Sequence, residues 1–188
     1  MFIETEDTPN PATIKFLPGR EVMGRDGTAD FRDAEAAGRS PLASRLMGVD
    51  GVEGVFLGYD FVSVSKTDEA DWFQLKPAVL GAIMEHFNSG DPVLAKEQAE
   101  EADDTPKAPA DEDEVSAQIR ELIETRVRPA VAQDGGDIVF ERFEDGVVYL
   151  QMRGACAGCP SSTMTLKHGI ENMLRHYIPE VEEVEQTM

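Results

Sequence analysis

Between Lys96 and Asp113 the chain reads KEQAEEADDTPKAPADED, rich in Glu, Asp, Ala and Pro and without a bulky apolar residue. Such a stretch cannot bury enough apolar surface to offset the entropy lost on ordering. Its first residues are good helix formers, but a continuous helix through Pro106 and Pro109 would lose backbone hydrogen bonds and clash with the preceding turn. The segment therefore predicts a flexible, self-repelling acidic linker, assigned to residues 91–113. It divides the 188 residues into two small domains, 1–90 and 114–188. Each mixes strand-like and helix-like patterns, so the predicted class is α+β, two small α/β domains joined by the linker.

In the first domain, Phe2-Ile3 and Ile14-Lys15-Phe16-Leu17 predict short strands flanking the turn-rich Thr8-Pro9-Asn10-Pro11. Ser40-Pro41 is a helix start, with proline at a position whose N–H has no intrahelical partner. Leu42, Leu46 and Met47 then share one helical face. Residues Gly48–Gly58 are broken by glycines around Val52, Val55 and Phe56. Phe61-Val62-Ser63-Val64-Ser65 alternates as a strand with one wet face. Leu75, Val79, Ile83 and Phe87 recur at helical spacing, with Trp72 and Phe73 expected in the core and Asn88-Ser89-Gly90 as the stop.

In the second domain, Val115, Ile119, Leu122, Ile123 and Val127 form a helical stripe expected to end near Pro129. Asp134-Gly135-Gly136-Asp137 predicts a turn in which the aspartates act as turn and cap residues. Ile138-Val139-Phe140 and Val147–Met152 predict a hairpin closed at Glu144-Asp145-Gly146, since Asp-Gly tolerates positive φ. Gly154–Cys159 is a tight loop, and Pro160-Ser161-Ser162 opens a helix reaching Tyr177, with Met164, Ile170, Met173 and Leu174 expected in its core face. Val181–Val184 predicts a last strand.

Lysine and arginine number 17 against 37 acids, a formal net charge of −20. That balance repels phosphate backbones and anionic headgroups, so neither nucleic acid nor a membrane is an expected partner. No apolar run is long enough to span a bilayer. The acidic start, Met1–Asp7, resembles neither a secretory signal nor an Arg-rich transit peptide. The expected setting is the bacterial cytoplasm, with the matrix form of a processed mitochondrial protein equally compatible.

The chain has two cysteines, Cys156 and Cys159, in Gly-Ala-Cys-Ala-Gly-Cys-Pro. Two intervening residues let both sulfurs face one metal centre, and the small neighbours leave that approach open. The loop leads into a helix N-terminus, where unused N–H groups favour thiolates. Tetrathiolate zinc and iron–sulfur clusters need four ligands, and one chain supplies two. His168 lies further along the helix, and His86 and His176 belong to no matching motif. Two copies would complete the shell symmetrically. Three readings fit: a shared iron–sulfur cluster, a zinc-clasped dimeric interaction protein, and a thiol–disulfide oxidoreductase. The last normally opens a helix after the first strand of a βαβ unit, whereas this loop follows a hairpin. Ser161 and Ser162 could donate to cluster sulfur or cap the helix, and Arg153 and Lys167 could offset cluster charge or lie solvated.

Asp134-Gly135-Gly136-Asp137 followed by GACAGCPSSTMTLKHGIENML, Gly154–Leu174, resembles the cysteine-bearing domain of the NifU-like, or Nfu, proteins. TPNPATIKFLPG, Thr8–Gly19, resembles the N-terminal Nfu domain. The resemblance implies a carrier and no enzyme: one [4Fe–4S] cluster per homodimer, ligated by Cys156 and Cys159, received from an upstream donor and passed to apo iron–sulfur client proteins. The N-terminal domain, which lacks ligands, is then a docking or specificity module.

Overall fold

The computed structural model describes residues 1–95, 113–158 and 160–187, and the side chains of all of these except 160–163. Residues 96–112 of the acidic linker and Cys159 lie outside the described residues.

The first domain is a five-stranded antiparallel sheet, β1 (Glu4–Asp7), β2 (Thr13–Leu17), β3 (Ala29–Phe31), β4 (Val52–Leu57) and β5 (Val62–Lys66), in the order β1-β2-β5-β4-β3. Three helices accompany it: α1 (Ala34–Ala37), α2 (Pro41–Met47) and α3 (Trp72–Ser89). Ser40 caps α2 by accepting from the Ala43 N–H, and Asp71 caps α3 by accepting from the Phe73 N–H. Because side chains alternate along a strand, the register sorts the sheet into two faces. Phe16, Val62, Leu57 and Ala29 lie in one cross-strand row and pack with Leu42, Leu46, Leu75, Val79 and Ile83 of the helices in a single core. Residues 91–95 stay on this domain: the Ser40 hydroxyl donates to the Val93 carbonyl, and the Ala95 N–H to that of Arg39.

The sequence differs from this in four places. The first strand is Glu4–Asp7 rather than Phe2-Ile3, and Phe2 is exposed. A strand, β4, runs through the glycine-broken region, because Gly54 opposes Ser65 across a bulge rather than breaking the ladder. Phe73 stands out in solvent at 88% exposure, while Trp72 packs on the core and donates its ring N–H to the Pro11 carbonyl. The expected wet face of β5 is dry: Ser63 is buried.

The second domain begins with α4 (Glu114–Leu122), continues through a π turn at Ile123–Val127 and ends in α5 (Arg128–Gln133). The helix does not stop near Pro129, because the proline falls in the first turn of α5, where its missing N–H costs little. Strands β6 (Gly136–Glu144) and β7 (Val147–Gly154) form the hairpin, turning at Asp145 and Gly146 with φ of 50° and 81°. Helix α6 (Pro160–Tyr177) returns the chain to β8 (Glu183–Thr187), which pairs parallel with β7. Ile119, Ile123, Ile138, Phe140, Leu150, Ile170 and Leu174 make a separate core. Met164, expected there, is exposed at 66%, whereas Met173 packs against that core.

Candidate functional site: the cysteine loop and its cover

The loop emerges where β7 runs out against the start of β6. Gly136 pairs with Gly154, and the Ala155 N–H donates to the Gly135 carbonyl. The Cys156 N–H turns back to the Arg153 carbonyl and the Ala157 N–H to that of Gly154. These bonds fix a compact turn with Cys156 buried. Its sulfur lies against the bare Cα of Gly136, where a Cβ would overlap Sγ and come within 2.9 Å of the Cys156 nitrogen. Gly136 is thus a cradle for the sulfur. Its neighbour Gly135 has φ +77°, a conformation that favours glycine. The double glycine of the sequence motif therefore has two distinct jobs, one steric and one conformational.

Cys156 also lines an apolar groove of about 590 Å³ between α5 and α6, walled by Val131, Leu166, Ile170 and Met173, with Arg126 and Asp134 among its polar residues. Arg153 is buried, and its Nε and Nη2 donate to Gln151 Oε1 at 2.9 and 2.6 Å. Lys167 stands 3.9 Å from Glu183. Asp137 does more than close a turn. It is buried, and its carboxylate accepts from Arg128 Nε and Nη2 at 2.8 and 2.9 Å and from the Ile138 N–H. Asp134 is exposed at the rim. His168 and His176 lie on α6, and among the described residues no group of three or more His, Cys, Asp or Glu could hold a metal ion. No described helix is long and apolar enough to cross a membrane.

Sequence reasoning missed the cover over this loop. The outward row of the first sheet, Glu6-Lys15-Ser63-Phe56-Asp30, faces the second domain. Ser63 Oγ donates to the Gly135 carbonyl at 2.7 Å and Lys15 Nζ to that of Gln133 at 3.1 Å. Asn10 Nδ2 donates to the Ala157 carbonyl, between the two cysteine positions, and Arg32 Nη2 to that of Met152. Thr28 Oγ1 donates to Asp137 Oδ2 at 2.9 Å. Phe56 packs beside Gly154 and is buried outside both cores. The only sequence trace of this contact is polar residues interleaved in β2 and β5, which read equally well as solvated.

Fold and loop together define a two-domain protein in which an α+β module covers the CxxC loop of a hairpin module. Residues 3–90 match the family described as "Scaffold protein Nfu/NifU N terminal", and residues 119–185 match "NifU-like domain". The chain belongs to the NifU-like (Nfu) family, with both of its domains present. Similar proteins include "NFU1 iron-sulfur cluster scaffold homolog, mitochondrial" of Drosophila erecta, 53% identical over 186 residues, covering 99% of this chain and 65% of that protein. The protein of the same name from Drosophila willistoni is 52% identical, covering 99% and 63%. The chain thus spans under two thirds of their length. A solution structure of a NifU-like protein from Saccharomyces cerevisiae is similar with a TM-score of 0.46 at 24% identity, covering 51% of this chain and 86% of that one.

Proposed function

We propose that this protein carries an iron–sulfur cluster between two copies of itself, ligated by Cys156 and Cys159 of each, and delivers it to apo-proteins. The observation that carries the reading is the Gly136 cradle, which reserves space for one sulfur at a two-cysteine loop. One chain provides two thiolates and a cluster needs four, so a pair of chains completes the set. The cluster is cargo, and a ligand shell split between chains opens when the copies part. A cubane of the [4Fe–4S] type, one per dimer, suits four thiolates in this arrangement. Carriage requires no chemistry on a small substrate, so the chain is not read as an enzyme. Clients and an upstream donor are the partners that carriage requires. The relatives' printed names support a mitochondrial setting over the bacterial cytoplasmic one expected from composition.

The test is anaerobic reconstitution with iron and sulfide followed by native mass spectrometry. A dimer carrying one cubane mass is expected, and Cys156→Ser should abolish it while leaving the circular dichroism spectrum unchanged. Cluster retention by that variant at the wild-type level would sink the reading, and a dimer holding zinc alone would replace it.

A further inference from the structure

The first domain grips the second at the place that carriage needs open. Of the five side-chain hydrogen bonds described between the domains, four end on main-chain carbonyls, those of Gln133, Gly135, Met152 and Ala157. The fifth ends on Asp137, the carboxylate that Arg128 holds. The acceptors sit on the loop, on the turn and strand ends that support it, and, for Gln133, on the last residue of α5. The donors sit on the outward side of the first domain, where Thr13, Lys15 and Ser63 are buried although each is polar. A cavity of about 310 Å³ remains between the domains, bounded by Asn10, Arg32, Phe56, Gly154, Ala157 and Gly158. The contact thus combines hydrogen bonds around an open crevice with the buried rings of Phe56 and Phe61, which belong to neither core. Contacts of that character within a chain are reversible.

We propose that the first domain is a cap on the cysteine loop, and that its docking competes with the meeting of two loops around a cluster. The proposal rests on the carrier reading above. In the cluster-free chain the cap is closed, as here. A second copy that packs its own loop against Gly154 and Ala157, the residues flanking Cys156, must take the space held by Phe56 and Asn10, so loading drives the first domain off. The released sheet face then presents a row of donors without their carbonyl acceptors, a surface suited to another chain's exposed backbone.

Two reporters stand on opposite sides of the contact: the Lys15 amine and the Cys156 thiol. The experiment follows amine labelling of Lys15 in the full chain, by mass spectrometry, before and after anaerobic loading with iron and sulfide. Lys76, on α3 at the helix-covered side of the first sheet and away from the contact, is the internal standard. Labelling of Lys15 relative to Lys76 should rise about tenfold on loading, as expected for loss of a contact worth one or two buried hydrogen bonds. In the cluster-free chain, Ser63→Arg should raise Lys15 labelling and the rate of Cys156 alkylation by a similar factor. Thr28→Val, which removes only the bond to Asp137, should raise both by a smaller factor and serves if the arginine variant does not fold. A bridged dimer that forms with Lys15 labelling unchanged overturns the cap and leaves the carrier reading standing. A chain that binds no iron overturns both. Variants that leave Lys15 and Cys156 reactivity unchanged in the cluster-free chain overturn the cap by themselves.

Discussion

The two sheets of this molecule bury themselves differently. Along β7, Val148, Leu150 and Met152 are buried while Val147, Tyr149 and Gln151 between them are half-exposed, the pattern of a strand covered on one face. In β2 and β5 that alternation vanishes: Thr13, Ile14, Lys15 and Phe16 are all buried, as are Val62, Ser63 and Val64. Both faces of the first sheet are covered, one by apolar helices and the other by the second domain. The covering materials differ in kind. Ile14, Phe16, Val62 and Val64 belong to a core that forms once and stays, whereas Lys15 and Ser63 make hydrogen bonds that water can replace. A buried residue is therefore evidence of a neighbour, and its polarity says how permanent that neighbour is.

Three perturbations sharpen this contrast, taken from the largest effect to the smallest. Leu150→Ala removes a fully buried side chain from the second core and should cost about 2–5 kcal/mol there. Because the cores are separate, urea denaturation followed by the single tryptophan, Trp72 in the first domain, should shift far less than the far-ultraviolet signal. Coincident shifts of the same size would mean that the domains unfold as one. Gly136→Ala places a methyl group against Cys156 Sγ and the Cys156 nitrogen and should cost about 1–3 kcal/mol through overpacking. Cluster yield on reconstitution should fall with it, while the first domain's midpoint stays fixed. Equal cluster yield would show that the sulfur does not need the cradle.

The smallest effect belongs to His86, whose ring is fully buried on α3 with neither nitrogen hydrogen-bonded to a described residue. Burial, and next the positive charge of Arg45, lowers its pKa below 6.5, with Arg20 acting in the same direction and Asp91 against it. The unfolded chain then binds a proton that the folded chain does not. Stability from this group is complete above pH 6.5 and falls as pH drops from 6.5 toward the lower folded value. His86→Leu should flatten the first domain's stability between pH 6.5 and 5 relative to wild type and leave the second domain's slope unchanged. Parallel pH profiles for the two proteins would remove His86 as a source of acid sensitivity.

Legibility in the sequence followed how local the cause was. Hairpin, helix α6 and the cysteine loop depend on residues a few positions apart, Asp145-Gly146, Pro160 and the glycines around Cys156, and all were readable. Strand β4 was obscured because Gly54 signals a break locally, whereas its pairing with Ser65 is set across the sheet. Hydrophobicity alone points Met164 and Phe73 inward; each sits in the first turns of a helix, at an angle that only the packed partner determines. The cover over the loop was the least legible. Asn10 and Ala157 are 147 positions apart, and a serine that meets a carbonyl reads the same as a serine that meets water.

Among the described side-chain hydrogen bonds, the first domain holds four carbonyls of its neighbour and one side chain. A carbonyl is present whatever the residue, so the grip records the path of the chain and is indifferent to most of its spelling. Positions 133 and 157 can change identity without loosening it, provided the backbone keeps its course. The two halves are then interchangeable parts: a second domain borrowed from a distant family member should seat on this first domain as long as it preserves the double-glycine bend and an acid at position 137.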